Sequence, residues 1–115
     1  MRNPRFVHVG ISYHELPALT FEHIKLMDAA IESEALDWIR YAWNCYIIWT
    51  ASDCETISRK IVRLPSLENV AHFVCELNMP GAFGSLPPWV WEWLGRDRGY
   101  GGLAFTDKPL TFLKQ

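Results

Sequence analysis

The sequence predicts an α/β (α+β) fold: one domain with a mixed β-sheet of about four to five strands and two main helices packed on it, followed by a short Trp-rich helix and a C-terminal hairpin. Three observations carry this expectation. Apolar residues alternate from Phe6 to Tyr13, they recur at three- and four-residue spacing from Ile24 onward, and a strand, a helix and a strand follow one another over residues 45–77. The 115 residues suit a single core. With half of them hydrophobic, that core needs no metal or disulfide to hold it.

Element by element, Val7, Val9, Ile11 and Tyr13 alternate with His8, Gly10 and Ser12, which is the period of a half-buried first strand. Pro17 breaks the chain, and Thr20 is placed to cap a helix whose stripe is Ile24, Met27, Ile31, Ala35, Trp38, Ile39 and Ala42. That stripe exceeds an average helix, so a restart is expected near Ser33, with a second helical segment ending at Asn44. Cys45 to Thr50 is apolar on both faces, as in a central strand. Ser52-Asp53-Cys54-Glu55 has capping-box spacing, and Ile57, Ile61 and Leu64 mark a second helix ended by Pro65. Val70 to Leu77 reads as the strand that completes a parallel crossover. The order overlaps a ferredoxin-like topology only loosely.

Beyond Asn78 the chain turns rich in Gly and Pro. Trp89 to Leu94 suits a short helix opened by Pro88 and stopped by Gly95, which we favour over an extended run with all three Trp on one side. Leu103–Thr106 and Leu110–Leu113 flank Asp107-Lys108-Pro109 as a terminal hairpin.

A net charge of −2 argues against a domain that holds nucleic acid by its overall field. The three cysteines, Cys45, Cys54 and Cys75, form neither a disulfide framework nor a CxxC zinc knuckle, which points to a reducing, cytoplasmic setting. No apolar run reaches membrane-spanning length, and the alternating start of the chain is unlike a signal peptide. No cofactor or metal is expected.

The main candidate surface is Trp89, Trp91 and Trp93 with Arg96, Arg98 and Tyr100 downstream, because clustered Trp, Tyr and Arg are the residues of interface hot spots. On a helix Trp89 and Trp93 share a face while Trp91 points away. Asp28 and Glu32, one turn apart on the first helix, offer an acidic face to a basic partner. Packed rings and an ordinary solvated acidic face are the bland alternatives. His8 and His72 on strands could face one another as an acid/base pair, yet no HExxH, GxSxG or phosphate-loop pattern is present.

These residues favour a non-enzymatic module that binds another protein. A small inhibitor of viral, mobile-element or immunity-protein type fits, as does an adaptor. The competing expectations are a small hydrolase or nuclease using histidines, and a nucleic-acid binder using the Arg96–Tyr100 loop.

Overall fold

The computed structural model describes residues 3–14, 16–96 and 98. They fall into two compact units, Met1–Leu77 and Asn78–Gln115. The first contains β1 (Arg5–Ser12), α1 (Phe21–Glu34), β2 (Asp37–Ala42), β3 (Cys45–Thr50), α2 (Cys54–Val62) and β4 (Ala71–Glu76). The second contains a 3-10 turn over Met79–Gly81 and α3 (Pro88–Leu94).

The expected class is what forms: helices packed on a four-stranded sheet. The strands stand in the order β2-β3-β1-β4 and every ladder is antiparallel, so the sheet is not mixed. Both β3 and β4 run opposite to β1, and therefore in the same direction as each other, with β1 between them. The crossover expected over residues 45–77 is thus a split one. A β-α-β-β-α-β order with this arrangement is the ferredoxin-like topology, matched far more fully than the sequence reading allowed.

The difference is β2. Helix α1 starts where Thr20 predicts, with a reciprocal cap: the Thr20 hydroxyl accepts from His23 N–H, and Thr20 N–H donates to His23 Nδ1 at 3.0 Å. It stops at Glu34, beside the predicted break at Ser33, but no second helical segment follows. Ala35 is extended, Leu36 N–H donates to the Trp49 carbonyl at 2.7 Å, and Asp37–Ala42 joins β3 as a strand. Trp38, Ile39 and Ala42 satisfy helical spacing by sequence, yet a pairing partner in β3 gives their backbone groups a ladder that a lone helical turn lacks. Helix α2 is capped by Asp53, which accepts from Thr56 N–H at 2.9 Å, rather than by Ser52. The Ser52 hydroxyl instead donates to Glu34 at 2.7 Å.

One sheet face packs on the helices. Val7, Val9 and Ile11 of β1, and Tyr13 just after it, meet Tyr46 and Ile48 of β3, with Ile24, Met27 and Ile31 of α1 and Ile57 and Ile61 of α2 closing over them. The opposite face buries Phe6, Ile39, Ile47 and Trp49, the rings of Phe6 and Trp49 lying 4.8 Å apart. Strand β3 is accordingly buried on both faces, as its apolar sequence requires.

In the second unit α3 begins with Pro88 in its first turn and is closed by Gly95, at the predicted bounds. The expected C-terminal hairpin lies outside the described residues. No described helix is long and apolar enough to cross a membrane.

Candidate binding surface

The Trp-rich helix is largely a packing element. Trp93 is fully buried at 0% exposure, and Trp89 and Trp91 are half-buried. The arginines that follow fold back onto the helix. Arg96 pairs with Glu92 at 2.9 Å. Arg98 places its guanidinium 4.4 Å from the centre of the Trp93 ring and donates to the carbonyls of Trp93 and Arg96 at 2.6 and 3.0 Å. A cation at the C-terminal end of a helix, over an aromatic face, is a stabilising arrangement by itself. Tyr100 lies outside the described residues.

Asp28 and Glu32 diverge. Asp28 is directed at the sheet, where Arg40 grips its two carboxylate oxygens at 3.1 and 3.4 Å and the buried Tyr46 hydroxyl donates to it. Glu32 is exposed. The histidines do not meet either, because Ile11, not His8, stands opposite His72. His8 faces away from the helices, hydrogen-bonded to the Tyr41 hydroxyl at 2.6 Å, and burial holds its pKa below the ordinary value. His72 faces the helices, hydrogen-bonded to the Ser58 hydroxyl at 2.6 Å. Among the described residues no three His, Cys, Asp or Glu side chains group as metal ligands.

A cleft lies at the far end of β1, where the chain leaving this strand meets the β2–β3 turn. Asn44 ties the two together: its side-chain amide donates to the Ile11 carbonyl at 3.0 Å, and Ile11 N–H donates to the Asn44 carbonyl at 3.0 Å. Trp43, beside it in the turn, stacks on Tyr13. A cleft of about 390 Å³ results, walled by Leu16, Leu19 and Trp43, with Ser12, His14 and Asn44 as its polar groups. Ser12 and Asn44 also border a neighbouring depression of about 340 Å³ over Gly10, flanked by Phe73. Both rings reach solvent, Trp43 at 55% exposure and Phe73 at 69%.

Sequence reasoning missed this surface because Trp43 was read as part of a helix. The available signal was Trp43-Asn44 between two apolar runs, the two-residue spacing of a hairpin. Neither residue has positive φ, as the favoured two-residue turns require, and the β2–β3 ladder shifts register between Arg40 and Ala42 instead.

The arrangement suits recognition. Its Leu16, Leu19 and Trp43 walls beside the polar Ser12, His14 and Asn44 can seat a side chain with both apolar and polar parts, and its protruding rings can enter a pocket on another molecule. Comparison with known proteins finds no matching family model, no similar curated protein and no similar solved structure.

Proposed function

We propose that this chain is a non-enzymatic protein-binding module, of inhibitor or adaptor type, that engages its partner through the Trp43 cleft and the adjoining Phe73. The supporting observation is Trp43 itself: more than half exposed, yet stacked on a tyrosine that is buried. A large ring held in place before binding loses little conformational freedom on forming a complex, the condition that makes Trp effective at interface centres. Three cysteines without a CxxC pair suit a cytoplasmic, reducing setting.

The Trp89, Trp91 and Trp93 run serves here mainly to pack α3. The test is affinity capture with the tagged full chain, comparing Trp43→Ala with Trp91→Ala at matched circular dichroism. A stoichiometric protein partner retained by Trp91→Ala and lost with Trp43→Ala supports the reading. A partner indifferent to Trp43→Ala refutes it, as does failure to capture any protein.

A further inference from the structure

The outer edge of β4 carries a self-complementary sequence. Leu77 N–H donates to the Phe6 carbonyl at 2.9 Å, so the odd-numbered residues here direct their backbone groups to β1. By the alternation of an antiparallel strand, His72, Val74 and Glu76 direct theirs outward. Among the described residues no strand flanks β4 on that side. We propose that β4 pairs with β4 of a second copy of this chain, antiparallel about a two-fold axis through Val74, joining two four-stranded sheets into one.

In this register Val74 faces Val74 of the second copy, and His72 of each chain faces Glu76 of the other. All are hydrogen-bonded positions, so every outward N–H and carbonyl from His72 to Glu76 gains a partner. The charge complement is built in, because an imidazole N–H can donate to the opposing carboxylate. Both side chains are already oriented within their own chain, His72 by Ser58 at 2.6 Å and Glu76 by Arg5 at 3.0 Å. On the other face Phe73 stands opposite Cys75 of the second copy at a non-hydrogen-bonded position, where side chains approach most closely. Moving the axis to Phe73 would set His72 against Val74 and leave Glu76 outside the strand pair, losing the complement.

Sedimentation of the full chain over a concentration series tests the dimer. The expected mass at high concentration is twice 13.3 kDa. A mass of 13.3 kDa throughout the series overturns the proposal. Val74→Pro removes an N–H that points away from β1, so it should raise the dissociation constant at least about tenfold while the circular dichroism spectrum is kept. Should Val74→Pro not fold, Phe73→Lys at an exposed position should weaken association in the same way. A dimer undisturbed by the folded variants refutes pairing through β4.

The register has its own test. Phe73→Cys should form an interchain disulfide to Cys75 on mild oxidation, since directly opposed strand positions are within bridging distance. Phe73→Cys combined with Cys75→Ser should not cross-link. A link between the two position-73 sulfurs in that double variant overturns the proposed axis.

Discussion

The ring of Trp43 lies on the ring of Tyr13, centroids 5.5 Å apart and planes 27° from parallel, so a residue at a hairpin tip rests on one that belongs to the core. The two partners differ in what they contribute. Tyr13 is buried at 5% exposure, whereas Trp43 has most of its surface in water. Trp43→Ala should therefore cost no more than about 1.5 kcal/mol, the scale of an aromatic pair. Tyr13→Ala should cost about 3–5 kcal/mol, as for other large core rings. Urea denaturation measures both. A Trp43→Ala variant as unstable as Tyr13→Ala would make Trp43 a core residue and weaken its assignment to binding.

Asn44 fixes the cleft from the other side. It receives the Ile11 N–H on its backbone and gives its side-chain amide to the Ile11 carbonyl, so the turn is tied to β1 twice. Asn44→Ala removes only the second tie and should lower stability by about 1 kcal/mol. Hydrogen exchange should show faster opening of the Trp43 amide than of the central β3 amides. Equal acceleration along all of β3 would mean that Asn44 supports the whole hairpin rather than its tip.

What could be read from sequence follows from which signals are local. Thr20, Pro88 and Gly95 bracket helices by chemistry acting within a few residues, and the alternation around Val7, Val9 and Ile11 is a property of a single strand. Strand β2 escaped because both its faces carry apolar residues, Trp38 toward the helices and Ile39 away from them, which removes the alternation and leaves helical spacing in its place. The insertion of β1 between β3 and β4 depends on pairing between residues 35 to 69 positions apart in the chain, which no window of sequence contains. The proposed binding surface was hidden for the same reason. Trp43 and Phe73 are far apart in sequence, and only the sheet brings their strands to the same end.

Tyr13 offers a test of buried polarity. Its hydroxyl is buried with no hydrogen-bond partner among the described residues. Burial and the Asp28 carboxylate push its pKa up to about 12, against a smaller opposing effect of Arg40. Tyr13→Phe should then leave stability at neutral pH unchanged or raise it by about 1 kcal/mol, because an unsatisfied hydroxyl is removed without loss of the ring. Alkaline behaviour follows from the same shift. A phenol whose folded pKa lies above the unfolded value of about 10 contributes fully below pH 10, and its contribution falls as pH rises toward about 12. The native protein should lose stability over that window, with a slope from Tyr13 of at most roughly 1.4 kcal/mol per pH unit. Chemical denaturation across the alkaline range should give a shallower slope for Tyr13→Phe. An identical slope would show that Tyr13 ionises as it does in the unfolded chain.

Asp28 joins α1 to the sheet through two partners of different kind. Arg40 gives it a charged, partly exposed bond, while Tyr46 gives it a buried hydroxyl whose pKa is driven well above the ordinary range by burial and by this carboxylate. Asp28→Ala should cost about 2–3 kcal/mol, since it leaves the Tyr46 hydroxyl without its acceptor and Arg40 without its counter-charge. Tyr46→Phe alone should cost about 1 kcal/mol. The double variant should then be less destabilised than the two single costs added together, because removing the hydroxyl cancels part of the penalty left by removing its acceptor. Urea denaturation of the four proteins closes this cycle. Strict additivity would mean that Asp28 stabilises the fold through Arg40 and not through Tyr46.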